Sequence, residues 1–248
     1  MNTDMTPQAV RDLIDDLNDL KLVNMASALD AVYHSPEFDT LGKISFLQKV
    51  IEPECTAKKD NRYARNLAKA NLKGCPQLFS NCHDSKERSY LPNGITETLG
   101  SLGFIEEGLN VCILGPSDSG KSYLAKAIGI KACIKHKVAY YHSEPFLEEM
   151  VAIKEENYKK YQKRIRAHLK LDLLILDDFL IHTITDEREI KILFELLEKR
   201  CELSRSTVVC SQREPNSWAS MILNDEVSSN SIMKRVTKHY TVLIKPEG

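Results

Sequence analysis

An α/β fold, with a core of parallel strands alternating with helices behind a small all-helical N-terminal domain, is what the sequence predicts. Three observations carry it. From Asn110 onward, short runs rich in Val, Ile and Leu alternate with longer stretches of helical period, the pattern of a parallel sheet covered on both faces. Before residue 77, apolar residues recur only at three- and four-residue steps. Between the two, the stretch VCILGPSDSGKSYL at 111–124 stops an aliphatic run at Gly115 and opens the next helix with Gly120, Lys121 and Ser122.

Taken in order, residues 7–33 predict helix, with Val10, Leu13, Ile14, Leu17, Leu20 and Leu22 on one face and acids opposite. HSPEFD breaks the pattern near Pro36. A second helical stretch follows over 40–51 through Leu41, Ile44, Leu47 and Val50. Pro53 is expected to open a third helix, through Ala64, Leu67, Ala68 and Leu72, which stops at Gly74 and Pro76. Residues 77–93, QLFSNCHDSKERSYLPN, have no period and end before Gly94, so they read as a linker. The domains are therefore expected at 1–76 and 94–248. After a short helix at ITETLGSLGFIEEG come strand NVCILG, helix KSYLAKAIGIKACIKH, strand VAYYHS and one helical stretch, PFLEEMVAIKEENYKKYQKRIRAHLK. Strand LDLLILDDF, helix REIKILFELLEKRCEL, strand STVVCSQ and a last strand at TVLIK complete the chain.

Bulk properties narrow the class. The 248 residues are 42% hydrophobic and 28% charged, enough for one sizeable core and a smaller domain. No stretch approaches the roughly 18 apolar residues a membrane span needs, and the acidic MNTDMTPQAVRDLIDD does not read as a secretory signal. The 7 cysteines are odd in number and irregularly spaced, which predicts reduced thiols in a cytoplasmic protein. Cys75, Cys82 and His83 lack a fourth ligand at zinc spacing. Net charge is −1, yet six Lys/Arg face one Asp over residues 58–73, and six face no acid over 159–170. Such clustering within a neutral whole points to a directed surface for an anion such as double-stranded DNA, or to two solvated helix faces. The candidate DNA-binding residues are Lys58, Lys59, Arg62, Arg65, Lys69, Lys73, Lys163, Arg164 and Arg166. Tyr63, Tyr158 and Tyr161 lie among them and are better read as packing residues than as base-stacking ones.

Gly115-Pro116-Ser117-Asp118-Ser119-Gly120-Lys121-Ser122 fits G-x-x-x-x-G-K-[ST], with a strand before it and a helix after. The spacing has a physical reason. Glycines let the backbone wrap so that successive N–H groups converge on phosphate oxygens, and the start of the helix adds its positive end. Lys121 brings a compact charge to the β- and γ-phosphates, while Ser122 offers a hydroxyl to Mg²⁺. ATP with Mg²⁺ is the expected cofactor, and Tyr123 completes the expected binding stretch. The second half of such a site is an acid closing another buried strand. LDLLILDDF supplies it: five of the six residues from 171 to 176 are apolar, and Asp177 and Asp178 follow. Asp177 is expected to orient the metal and Asp178 to polarise the attacking water, the alternative being two acids that cap the next segment. Ser211 and Gln212 end the next strand, where polar groups can reach a γ-phosphate or simply close the strand. Phe104 and Ile105 precede the first strand and suit either bracketing the adenine or core packing. Arg235 reads as either a solvated helix charge or an arginine finger.

These residues resemble the IstB/DnaC-like AAA+ ATPases, most closely the IstB-type transposition helpers. The resemblance runs through DNRYARNLAKANLK, FIEEGLNVCILGPSDSGKS, DLLILDDF, STVVCSQREPNSW and NDEVSSNSIMKRVTKH, and so covers nearly the whole chain. It implies an AAA+ P-loop core, ATP hydrolysis with Mg²⁺, self-assembly on DNA, a DNA-contacting helical front domain and a transposase partner. A replicative helicase is the partner in the alternative, DnaC-like reading; a third is an ATP-gated scaffold with little hydrolysis. By position, Lys121 and Ser122 are the P-loop pair, Asp177 and Asp178 the second acidic motif, Ser211 and Gln212 the sensor strand, and Arg235 the finger. The chain departs from the family pattern in four places. Asp118 replaces a small residue, Gln212 an Asn and Lys234 an Asp, while the glycine usually found after the acidic pair is missing from DDFL. An acid beside polyphosphate is repulsive unless it points outward, so these departures imply slow turnover.

Overall fold

The computed structural model describes residues 6–223 and 225–246. It divides into two compact units, Met1–Arg65 and Asn66–Gly248.

In the first unit, α1 (Pro7–Asp19) starts with Pro7 at its first position, and the Thr6 hydroxyl accepts from the Ala9 N–H. The expected single helix over 7–33 is two, because Lys21 takes a left-handed φ of 59° before α2 (Val23–Tyr33). Val10, Leu29 and Val50 form a small core, with Ile14, Leu17 and Phe46 packed against it.

The two helices expected on either side of Pro53 are one, α3 (Lys43–Lys69). Proline deletes a backbone bond and crowds the preceding turn, but tertiary contacts flank it. Val50 is buried on one side, and on the other Glu54 accepts from Asn24 N at 3.0 Å and Met25 N at 3.3 Å. No side chain caps α2 locally, so Glu54 of α3 satisfies its first N–H groups.

The second unit is built on a six-stranded sheet of order β1-β6-β2-β5-β4-β3. Its strands are β1 (Arg88–Leu91), β2 (Val111–Leu114), β3 (Val138–His142), β4 (Leu173–Asp177), β5 (Ser206–Ser211) and β6 (Tyr240–Pro246). All neighbours are parallel except β1, which runs antiparallel to β6. The helices are α4 (Ile95–Gly100), α5 (Gly103–Glu106), α6 (Lys121–Ala132), α7 (Ser143–Glu156), α8 (Tyr158–Leu169), α9 (Glu187–Glu202), α10 (Trp218–Met221) and α11 (Glu226–Thr237). Both faces of the sheet are covered. Leu174, Leu176 and Val209 pack with Phe146, Leu193 and Ile232 of α7, α9 and α11, whereas Ile175 faces α6. There a Cβ on Gly129 would lie 2.9 Å from Ile175 Cδ1 and 2.8 Å from Leu72 Cδ1, so this helix approaches as closely as it does because residue 129 has no side chain.

Four further expectations need correction. Residues 77–93 are not wholly a linker, since they contain β1. Four residues with one deeply buried side chain, Tyr90, leave almost no periodic signal, and pairing with the distant β6 makes the strand. The long helix over 145–170 is α7 and α8, divided at Asn157, whose side chain accepts from Lys160 N and starts α8. The short helix after Gly94 is α4 and α5, divided at Leu102 with a φ of 62°. Residues 70–73 also leave α3 early. Ala70 and Asn71 cross to the sheet edge, where Ala70 O accepts from Tyr140 N and Asn71 Nδ2 donates to Tyr140 O. Edge strand β3 is partly covered in this way.

Candidate nucleotide site

The parallel strands bring their carboxyl ends to one side, where α/β proteins bind ligands. Leu114, ending β2, pairs with Ser211 of β5, and Leu176 of β4 pairs with Val209 on the other side of β5. The loop 115–120 therefore stands one strand away from Asp177 and Asp178.

The loop is shaped as a cradle that could hold a phosphate. Gly120 caps α6 at φ 99°, and a Cβ on Gly115 would lie 2.6 Å from Ile244 O and 2.7 Å from Ser119 Oγ. Ser119 Oγ is buried and has no hydrogen-bond partner among the described residues, a cost that an incoming acceptor would remove. Lys121 is 7% exposed, and its Nζ donates to Pro116 O across the loop. Burial pulls its pKa below the ordinary lysine value, while the nearby Asp177, Asp178 and Asp118 act in the opposite direction. A buried ammonium held by one carbonyl is suited to an anion. Asp118, at φ 58°, is exposed, so the loop's acid is turned to solvent. Ser122 and Tyr123 are half-buried on the first turn of α6, and the Tyr123 hydroxyl accepts from Leu78 N and Asn81 Nδ2.

Asp177 is buried at the end of β4. Its carboxylate accepts from the Tyr140 hydroxyl on one oxygen and from Asp178 N, at 3.0 Å, on the other, and Ser143 Oγ donates to its carbonyl. Burial, and then the bond to Asp177, raises the Tyr140 pKa far above the usual phenol value, so the hydroxyl remains a donor. Asp178 is half-exposed, and its Oδ2 lies 2.8 Å from His142 Nδ1. The two acids differ in setting: one is fixed and buried, the other is partly open to solvent. Phe179 N donates to Cys210 O at 2.7 Å, and Ser211 Oγ donates to Phe179 O at 2.8 Å, tying the acidic loop to β5. Leu180 takes φ 53° where the related pattern has glycine, so it bears the strain that residue avoids.

The remaining expected residues separate. Ser211 is wholly buried and occupied by Phe179 O and Arg213 N, whereas Gln212 is exposed at the strand end. Phe104 and Ile105 are buried, and Phe104 O accepts from Ser206 Oγ, which favours core packing of the two. Arg235 is engaged within its own chain: Nη2 donates to Glu198 at 2.8 Å, Nη1 to Ser231, and the guanidinium lies 5.0 Å from the Phe194 ring centre. Asn110 holds this corner, donating to Arg235 O and accepting from Thr207 N. Tyr140, His142 and Asn110 were not singled out in the sequence. Asn110 stands just before an apolar run, Tyr140 inside one and His142 at the end of one, positions that many strands share.

The basic residues are all exposed. Lys58, Arg62 and Arg65 recur at four- and three-residue steps on one face of α3, with Lys59 beside them, and Lys58 lies 3.5 Å from Glu54. Lys69 and Lys73 are exposed in the second unit. On α8, Arg164 pairs with Glu149 at 3.2 Å, while Lys163 and Arg166 make no ion pair among the described residues. Tyr161 is buried and its hydroxyl donates to Glu195, so it packs, whereas Tyr158 is 58% exposed.

Comparison with known proteins shows the family and the fold. A family model described as IstB-like ATP binding protein matches residues 15–247. The chain belongs to the IstB-like ATP-binding protein family. An insertion-sequence ATP-binding protein of Mycobacterium tuberculosis is 25% identical over 92% of this chain and 89% of its own. The IS21 ATP-binding protein of Pseudomonas aeruginosa is 25% identical over 94% and 86%. Among solved structures, AMPPCP-bound DnaA from Aquifex aeolicus aligns with a TM-score of 0.56 at 20% identity, over 69% of this chain and 50% of that one. The DnaC helicase loader aligns at 0.55 and 16% identity, over 69% and 98%. The fold is thus that of the AAA+ P-loop ATPases, and the family is one that binds ATP. Among the described residues, no helix is long and apolar enough to cross a membrane.

Proposed function

We propose that this IstB-like protein is an ATP-dependent, DNA-binding helper of transposition that assembles on duplex DNA as an ATP-bound oligomer and stimulates or targets a transposase. The observation that carries the proposal is the Lys121 cradle facing the acidic pair across one strand, with an unpartnered Ser119 hydroxyl inside it. The loop amides, Ser119 and Lys121 hold the phosphate chain. Ser122 and Asp177 would hold Mg²⁺, which would help neutralise the charge of the phosphate chain. Asp178, oriented by His142, polarises the attacking water, and Gln212 lies at the strand end near it. The exposed basic faces of α3 and α8 neutralise DNA phosphates, a contact without sequence preference that weakens with salt. The names of the relatives, insertion-sequence proteins, support the transposase as partner.

Arg235 acts in this scheme on a neighbour's γ-phosphate, which requires it to exchange Glu198 for that phosphate. The same ion pair favours a second reading, an ATP-gated scaffold in which the finger stays docked and turnover is very slow. Electron microscopy with duplex DNA, with and without a non-hydrolysable ATP analogue, tests the main proposal. Nucleotide-dependent rings or filaments are expected, and a monomer on DNA in both states would overturn it. Phosphate release in the presence of DNA separates the two readings: measurable turnover that Arg235→Ala abolishes supports the finger, and none supports the scaffold.

A further inference from the structure

Strand β1 was absent from the sequence expectation, and it brings a second cation to the loop. Arg88 opens β1, and its guanidinium lies against Gly120: a Cβ on that glycine would overlap Nη1 and lie 3.2 Å from Cζ. Gly120 thus has two reasons to lack a side chain, its φ of 99° and the arginine packed on it. Arg88 is half-buried and makes no ion pair with a carboxylate among the described residues. A partly desolvated guanidinium placed beside the first residue of α6, without an acid to neutralise it, is arranged for an external anion.

We infer that Arg88 is a phosphate-binding residue of the nucleotide site, acting from within the same chain and contacting the phosphate chain beside Gly120. The inference rests on the P-loop reading and adds a ligand to it. Charge balance makes the addition meaningful. Lys121 has the carboxylates of Asp177, Asp178 and Asp118 nearby, and Arg88 adds a second positive charge against them. The arginine is also well supported. Tyr90, two residues on and on the same face of β1, is buried; Asp84 accepts from Tyr90 N at 2.7 Å; and four backbone pairs join β1 to β6. The planar fork is therefore offered from a strand of the sheet, not from a free loop.

The test is displacement of a fluorescent ATP analogue from the full chain by ATP, inorganic tripolyphosphate or adenosine. Arg88→Gln is expected to weaken ATP and tripolyphosphate about tenfold and to leave adenosine unchanged, while Arg88→Lys recovers part of the loss. Unchanged tripolyphosphate affinity, or an equal loss for adenosine, would overturn the assignment. Arg88→Met, which keeps the aliphatic stem, is read in the same way if the Gln variant does not fold. Lys121→Ala separates the two levels. If the wild type binds and Lys121→Ala does not, an unaffected Arg88→Gln defeats only the present inference; if the wild type itself fails to bind, the P-loop reading falls first.

Discussion

The two units handle charge in opposite ways. In the helical unit, charged groups stay mostly at the surface: Lys58, Lys59, Arg62 and Arg65 are exposed, and Glu54, the one buried acid among its described residues, is satisfied by the first N–H groups of α2. In the sheet unit, charge is carried inside. Lys121, Asp177 and Arg200 are all buried, and each is held by named donors or acceptors. A three-helix unit with a core of Val10, Leu29 and Val50 has little interior in which to place a charge. A sheet covered on both faces does, and at its strand ends it has backbone groups to satisfy what it buries.

The sharpest break in this comparison is Arg200. It is wholly buried, and it donates to Thr207 Oγ1, His168 O, Leu171 O and Ser206 O, with no carboxylate bonded to it. It closes the carbonyl end of α8 and joins that helix to β5, so it acts as a tertiary cap. Arg200→Met is expected to cost on the order of 3 kcal/mol, because several buried acceptors lose their donor together. Urea unfolding measures this, and a loss below about 0.5 kcal/mol, the scale of a surface substitution, would show that the guanidinium does not hold the layers together.

Lys121→Ala comes next. It is expected to lower ATP affinity about a hundredfold by calorimetry, the size of a lost charge-assisted contact, while leaving the unfolding midpoint without nucleotide nearly unchanged. Unaltered affinity would detach the cradle from phosphate binding.

A pH scan sharpens the same contrast. Burial depresses the His168 pKa from 6.5 to about 4, so the folded chain keeps this ring neutral. Protonation then favours the unfolded chain. Stability from this residue is complete above pH 6.5 and is lost as pH falls toward 4, which amounts to about 2 kcal/mol at pH 5. His168→Gln should flatten that part of the curve, and an unchanged slope would place the acid sensitivity elsewhere.

The smallest expected effect is on the helical unit. Replacing Arg62 and Arg65 by Glu should weaken duplex binding, reduce the log–log salt slope by about 2, and leave stability within about 0.5 kcal/mol. Equal affinity at every salt concentration would remove α3 from the DNA surface.

Much of this molecule was legible without coordinates, for identifiable reasons. Strands β2 and β4 are near-continuous apolar runs and β3, β5 and β6 are short apolar stretches between helices, and the cradle is a fixed spacing of glycines, lysine and hydroxyl whose steric demands are local. Asp177 and Asp178 announced themselves as acids at the end of a buried run. What stayed hidden depends on partners far away in the chain. β1 exists because β6 pairs with it, and α3 passes through Pro53 because Glu54 and Val50 anchor both sides. Ser211 reads as a sensor in the sequence, yet its hydroxyl is taken by Phe179 O.

By itself, then, the sequence determined the core strands after Asn110, the helical character of the stretches around them and the spacing of the loop, since these follow from residues within a few positions of one another. Only the tertiary structure decided which polar groups would be buried and against what. That outcome turns on desolvation, and desolvation depends on the neighbours folding brings. Asp118 outward, Lys121 inward, Arg88 beside Gly120 and Arg235 on Glu198 are four such outcomes, and no local pattern contains them.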